Sequence, residues 1–208
     1  MAKDKKISTE SDKFHQVFGK GSRLELMERG FNIGKLNMRF QKFDPQTNKQ
    51  LSYIDFYMDI HKALVMAYDI MSGRYAAIAK KKQETNPGEI VEVHKIPGGQ
   101  SAEKANRPDK KPLYREFVIN KGKLWMLKAT AGPGAITDNG GIVPDGKPDD
   151  VISVGLSDED LKGIALMIKF HYQGFLSRKS ENRAFNEQSD QSVAAQNYGT
   201  MMNDAFDF

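Results

Sequence analysis

A strand followed at once by a helix occurs twice in this chain, and this pattern constrains the fold more than any other feature of the sequence. In the second half, the apolar run at residues 151–154 leads directly to Ser157, with Asp160 three positions further on. This spacing is the capping box of a helix N-terminus. Apolar residues then recur at helical spacing through Phe175. We therefore predict a strand and an amphipathic helix that meets a glycine at Gly174.

The first half repeats this order with a strand at residues 51–56 and a helix that runs from about Asp59 to Gly73. Further strands are predicted upstream in each half, at residues 22–27 and 31–40 in the first, and at 113–119 and 123–131 in the second. Each half is thus an antiparallel β-meander followed by one helix. The predicted fold class is α+β, built from two such repeats.

The predicted organisation has a flexible N-terminus (1–13), a folded body (14–178) and a disordered acidic tail (179–208). Within the body, the repeats span about 14–73 and 113–175. The linker between them, 74–112, is rich in Pro, Gly and Lys, which favours an exposed connection with at most one short strand at 90–96. Residues 186–203 are rich in Asn, Gln, Ser and Ala, a composition that buries too little apolar surface to order a segment.

Composition excludes several classes of protein. The chain has no cysteine, which excludes disulfides, thiolate metal sites and a cysteine nucleophile. The four histidines are scattered, and neither a Walker loop nor a hydrolase or zinc-protease motif occurs, so we predict no enzyme, no cofactor and no metal. The sequence contains no membrane-length apolar run and no secretory signal, so we expect no membrane association and a cytoplasmic location, in a bacterium, plasmid or phage.

The charge is distributed unevenly along the chain. The last thirty residues hold two basic and five acidic side chains, whereas the rest of the chain holds 29 basic and 22 acidic ones. A basic body with an acidic end indicates a polyanionic partner for the body and a separate role for the tail.

The order of elements over residues 14–175 resembles the Whirly proteins, which bind single-stranded DNA in plants. The same unit, used once per chain and dimerised, resembles the transcription coactivator positive cofactor four and its bacterial and phage relatives. The segment 151–174, VISVGLSDEDLKGIALMIKFHYQG, looks like the last strand and helix of that unit. The resemblance implies a sheet-based fold that binds unpaired DNA, and it carries over no individual binding residue.

Strand alternation assigns side chains to a sheet face that no helix covers. Leu36, Met38 and Phe40 are predicted to face the core, which turns Lys35 and Arg39 outward. By the same logic, Tyr53 and Tyr114 point outward. Basic side chains interleaved with aromatic rings suit unpaired nucleic acid, because cations meet phosphates and rings stack on exposed bases. The candidate nucleic-acid-binding residues are Lys20, Arg23, Lys35, Arg39, Lys42, Tyr53, Tyr114, Lys123, Trp125 and Lys128.

The strand that contains Trp125 has two possible orientations, because both of its faces carry apolar residues. If Leu124 and Met126 are core residues, Lys123 and Trp125 lie on the open face. If Trp125 is a core residue, Lys128 and Thr130 lie on the open face instead. We favour a Trp125 side chain that is at least partly open.

The chain ends with acidic residues that alternate with aromatic ones, and this tip resembles the acidic tip of bacterial single-stranded-DNA-binding proteins. In that family the tip recruits replication and repair enzymes. A terminal phenylalanine can fill an apolar pocket while a basic side chain holds its carboxylate. The tip departs from the family in having fewer acids and no proline before its last residue. The predicted partner-binding residues are Asp204, Phe206, Asp207 and Phe208.

These observations predict a sequence-independent single-stranded-DNA-binding protein that protects or coats DNA and recruits replication or recombination proteins through its tip. We expect it to form homo-oligomers. RNA in place of DNA is a variant of this hypothesis. The alternative is a structural or adaptor protein, such as one from a phage, that uses the sheet face and tail for protein contacts.

Overall fold

The computed structural model describes residues 12–203, with side chains through residue 182. The fold is α+β, with two antiparallel sheets and helices. The strands are β1 Lys13–Gly19, β2 Ser22–Met27, β3 Lys35–Phe43, β4 Gln50–Asp59, β5 Val91–Gln100, β6 Leu113–Lys121, β7 Trp125–Ile136, β8 Ile142–Pro144 and β9 Asp150–Leu156. The helices are α1 Ile60–Met71, α2 Arg74–Thr85, α3 Ala102–Ala105 and α4 Asp158–Asn203, and a short 3-10 helix spans Glu28–Ile33.

The first sheet is a meander with the order β1-β2-β3-β4, in which each strand pairs antiparallel with the next. The turn between β1 and β2 needs Gly21, whose φ of 68° lies in the left-handed region. Strand β2 has the bounds that the sequence predicts. Strand β1 was not predicted, because its apolar residues Phe14, Val17 and Phe18 do not alternate with polar ones and the strand lies next to the N-terminal segment.

The second sheet continues the same arrangement. Strands β5, β6 and β7 are antiparallel neighbours, and β9 pairs with residues 125–131 of β7. The short strand β8 pairs with the far end of β7, at residues 134–136. Strands β6 and β9 lie where the sequence predicts them, within a few residues at each end, and β7 continues to Ile136, past its predicted end at 131.

The core lies between the two sheets and beneath the helices. The residues predicted to face the core from β3, namely Leu36, Met38 and Phe40, are fully buried. The Phe117 ring from the second sheet packs against rings of the first, with centroid distances of 6.1 Å to Phe40 and 5.7 Å to Phe56. Burial of such rings is the main favourable contribution to folding, and here it joins the two halves of the chain.

The predicted linker at 74–112 is wrong for most of its length. Helix α2 buries Tyr75 and Ala79 and leaves its lysines exposed, and β5 is a ten-residue strand that begins the second sheet. Pro97 is tolerated because β5 is an edge strand, where the missing N–H breaks no ladder. The second run of strands therefore starts at Val91 rather than at 113.

Helix α4 continues to Asn203, which differs from the disordered tail predicted from residue 179. The segment 179–203 contains no proline, so a helix started by the strong cap at Ser157 can propagate through it. The chain divides into two compact units, Met1–Lys169 and Phe170–Phe208. The first holds both sheets and the start of α4, and the second holds the rest of the helix. No helix among the described residues is both long and apolar enough to cross a bilayer.

The capping box at the start of α4 is confirmed. The Asp160 N–H donates to Ser157 Oγ and the Ser157 N–H donates to Asp160 Oδ2, both at 3.1 Å. The hydrogen bonds from the Ser157 side chain and backbone lower the pKa of Asp160. A lowered pKa contributes stability at neutral pH that is lost as the pH falls through that lowered value.

We expect Ser157→Ala to lower the free energy of unfolding by about 1 kcal/mol and to move the pKa of Asp160 back toward its ordinary value. Urea unfolding measures the first effect, and NMR titration of the Asp160 carboxyl measures the second. The control is Ser180→Ala at an exposed position inside the helix, which we expect to leave both quantities nearly unchanged. An unchanged Asp160 pKa in Ser157→Ala would contradict the assignment.

Candidate nucleic-acid interface

The outer face of the first sheet, opposite the core, gathers basic and aromatic side chains from four strands and the 3-10 helix. The strand register aligns Arg23, Gln41 and Tyr53 in one cross-strand row and Glu25, Arg39 and Asp55 in the next. We call this surface the basic face. Its members are Lys13, Phe18, Arg23, Glu25, Arg29, Arg39, Phe43, Tyr53, Asp55 and Tyr57.

Arg39 lies at the centre of the basic face. Its Nε and one Nη each donate to the Asp55 carboxylate at 2.9 Å, and this pairing raises the pKa of Arg39. Arg29 also donates to Asp55, at 3.3 Å. The Arg39 guanidinium lies 5.1 Å from the centroid of the Tyr53 ring. One carboxylate thus orients two guanidinium groups without cancelling their combined charge.

Arg23 lies between two aromatic rings near the other end of the face. Its guanidinium is 5.0 Å from the Phe43 centroid and 6.0 Å from the Phe18 centroid. Its Nε donates to Gln41 Oε1 at 2.7 Å. Cation–π contacts of this kind hold a guanidinium in place while leaving its remaining donors available to an anion.

The basic face has the composition of a surface that binds unpaired nucleic acid. Four cations, Lys13, Arg23, Arg29 and Arg39, surround two carboxylates. Two rings are strongly exposed, Phe18 at 65% and Tyr53 at 56%. Exposed rings can stack on bases, and the excess positive charge favours phosphates.

Five of the candidate binding residues lie on the first sheet, and they separate into three groups. Arg23, Arg39 and Tyr53 meet on the basic face, which alternation predicts for Arg39 and Tyr53. Lys35 lies at its edge and is paired with Asp59 at 2.9 Å. Lys42 points to the opposite side of the sheet, because it lies an odd number of residues from Arg39 in the same strand. Lys20, a sixth, is exposed in the turn between β1 and β2.

The candidate residues from the second half lie on a different sheet and do not join the basic face. Tyr114 and Lys128 belong to the outer face of the second sheet, but Tyr114 is buried and its hydroxyl donates to Glu116 Oε2 at 2.6 Å. Burial raises the pKa of Glu116, and the hydrogen bonds from Lys95 and Tyr114 outweigh it, so that the net pKa is lowered. Because Tyr114 is buried and hydrogen-bonded to Glu116, its ring is not available to stack on a base.

The predicted open orientation of Trp125 is wrong. The side chain is 3% exposed, and its indole N–H donates to Asp158 at the start of α4. Lys121 lies 4.8 Å from the ring centroid. The alternative orientation holds, in which Lys128 is on the outer face, while Lys123 lies exposed in the turn before β7. In the buried orientation, Trp125 stabilises the fold by linking β7 to the start of α4.

Seven members of the basic face were missed from the sequence: Lys13, Phe18, Glu25, Arg29, Phe43, Asp55 and Tyr57. Tyr57 lies four residues after Tyr53 in β4 and therefore on the same face. Alternation would have identified it if the predicted strand had extended past residue 56. Phe18 depends on recognising β1 as a strand. Asp204, Phe206, Asp207 and Phe208 lie outside the described residues.

Among residues 12–182, no group of three or more histidine, aspartate or glutamate residues is arranged to hold a metal ion. No family model matches the chain, and no curated protein or solved structure has significant similarity to it. Function is therefore inferred from the residues and their geometry.

Proposed function

We propose that this protein binds single-stranded nucleic acid, preferentially DNA, through the basic face and without sequence preference. The observation that carries the proposal is the composition of that face, in which Arg23 lies beside the exposed Phe18 ring and Arg39 beside the exposed Tyr53 ring. Stacking accepts any base, and phosphate contacts carry no sequence information. No base-reading groove or catalytic group is required, so the proposed role is coating and protection rather than catalysis.

The arrangement of elements supports the proposed relation to the Whirly and positive-cofactor-four-like proteins. Each sheet is a run of antiparallel strands followed by a helix, β1–β4 before α1 and β5–β9 before α4. The proposed recruitment of replication or recombination proteins rests on the acidic-aromatic tip at residues 204–208. It also requires that the tip lie apart from the basic face when DNA is bound.

The test is fluorescence anisotropy of a labelled oligo(dT) of about 30 nucleotides against a matched duplex, at several salt concentrations. We expect the single strand to bind more tightly, with log K falling against log[salt] with a slope of about −3 if the four cations each meet a phosphate. Because Trp125 is buried, its emission is expected to stay unchanged on binding. Absence of binding at low salt would overturn the proposal and favour a protein partner for this face.

Arg23→Gln tests the face directly. We expect the magnitude of the salt slope to fall by about 0.7, the value for one lost phosphate contact on a single strand. Arg74→Gln removes the same charge from an exposed position on α2 and serves as the matched control. Equal slopes in the two variants would contradict a specific role for Arg23.

A further inference from the structure

A groove of about 700 Å³ lies beside the edge strand β4, where the first sheet meets β5 and β6. Tyr57, the member of the basic face that lies nearest the end of β4, forms part of its wall, so the groove continues that surface. Three basic residues line it, namely Lys35, Lys104 and Arg115, and none of the described lining residues is acidic.

Arg115 is the most informative of these residues. It is half-buried, and its side chain has no hydrogen bond or ion pair with any described residue. Its Nε is fully enclosed without a partner. Asp55, whose charge acts on Arg115, already receives hydrogen bonds from Arg39 and Arg29. A guanidinium stays charged at any physiological pH. A partly desolvated cation without a partner is unfavourable unless an anion binds it.

The other two cations differ in availability. Lys35 is paired with Asp59 at 2.9 Å, so it contributes little free charge. Lys104 lies on the short helix α3, is exposed, and makes no side-chain ion pair with the described residues. An anion in the groove would therefore meet Arg115 at depth and Lys104 at the rim.

Two glycines, Gly98 and Gly99, line the groove at positions where a side chain would meet packed atoms. A Cβ at Gly99 would lie 2.5 Å from the Leu113 carbonyl oxygen, and one at Gly98 would lie 3.2 Å from the Phe56 ring. Because both residues lack a side chain, the main chain itself forms the groove wall at these positions. The Tyr57 ring, 37% exposed, offers a surface for a base.

We propose that this groove is a nucleotide site in which Arg115 and Lys104 hold a phosphate and Tyr57 contacts the base. The inference rests on the proposed function, because it makes the groove the place where a bound strand leaves the basic face at the β4 edge. The phosphate chemistry is common to a nucleic-acid strand and a free mononucleotide, and the experiment below separates the two sources.

The first arm measures oligo(dT) binding by anisotropy in Arg115→Met, Lys104→Ala and the control Lys81→Ala on α2. We expect Arg115→Met to weaken binding about tenfold, the effect of losing a charge-assisted hydrogen bond. Each groove variant should lower the magnitude of the salt slope by about 0.7, whereas Lys81→Ala should not. Lys104 is exposed on a four-residue helix, so its variant tests the site even if Arg115→Met is unstable.

The second arm follows the Arg115 Nε–H resonance by NMR during titration with thymidine monophosphate and with inorganic phosphate. We expect both to shift it, and the nucleotide to bind more tightly because its base contacts Tyr57. Equal affinities would overturn the role of Tyr57.

The two arms separate the two proposals. Strand binding that is unaffected in both groove variants would overturn the groove site and leave the basic face intact. If oligo(dT) fails to bind but the mononucleotide shifts the Arg115 Nε–H resonance, the groove is a site for free nucleotides and the proposed function is overturned. If neither ligand binds, both proposals are overturned.

Discussion

Replacing Phe117 by alanine is expected to lower the free energy of unfolding by about 3–5 kcal/mol, as for other fully buried rings. Phe117 is completely buried, and its ring contacts Phe40 and Phe56 of the opposite sheet. Its loss leaves a cavity at the junction of the two halves, where neighbouring strands cannot collapse without breaking the ladders on either side. Urea unfolding followed by Trp125 emission measures the effect, because the buried indole becomes solvated on unfolding.

Phe18→Ala is the matched control, since it removes the same side chain from a position that is 65% exposed. Its effect on stability should stay within about 0.5 kcal/mol. If Phe117→Ala and Phe18→Ala lower the free energy of unfolding equally, Phe117 does not join the sheets. If Phe117→Ala gives two unfolding transitions, the halves unfold separately once the joint is removed.

The sequence predicts the elements whose signals are local. The capping box fixes the start of α4 at Asp158, because Ser157 and Asp160 satisfy each other's backbone groups wherever such a helix lies. Strand β2 begins where the sequence predicts because a Gly-containing turn precedes it. The next predicted strand, 31–40, begins instead at Lys35, because the 3-10 helix Glu28–Ile33 occupies its first residues. The α+β class follows from these local signals alone.

The interval 74–112 was misread because its structure depends on distant partners. A Pro-Gly-Gly run predicts a loop, yet β5 accepts Pro97 at a sheet edge and needs Gly98 small where it meets the Phe56 ring. Helix α2 has only Tyr75 and Ala79 to bury, which is too weak a stripe to detect among lysines. Whether α2 and β5 form depends on contacts with residues distant in the sequence, and a short stretch of sequence does not reveal these contacts.

The candidate site was predicted where one face of a strand is clearly apolar. In β3, three fully buried residues fix the parity, so Arg39 and its neighbours could be assigned outward. In β7 both faces carry apolar residues, and only the contact of Trp125 with Asp158 decides between them. Alternation assigns side chains to a face of their own strand, but it does not tell which strands pair. It therefore cannot show that the outward faces of β3 and β7 belong to separate sheets.

Removing the two exposed rings of the basic face, in Phe18→Ala and Tyr53→Ala, is expected to weaken oligo(dT) binding strongly. Each stacked ring contributes about 1–3 kcal/mol, which corresponds to a roughly 5- to 150-fold loss per ring. The double variant should approach the product of the two effects if the rings stack on different bases. The salt slope should change little, because no phosphate contact is removed. Anisotropy at several salt concentrations measures both quantities.

Tyr68→Ala is the matched control, because Tyr68 is 71% exposed on α1 and lies away from the basic face. Its loss should leave oligo(dT) affinity within about twofold, well under the effect of a stacking ring. A uniform small loss in all three ring variants would argue that charge alone attracts the strand. Stacking and phosphate contact are separable contributions to binding. If the double variant kept normal affinity while Arg23→Gln reduced the salt slope, the strand would contact the cations of the basic face without stacking on its rings.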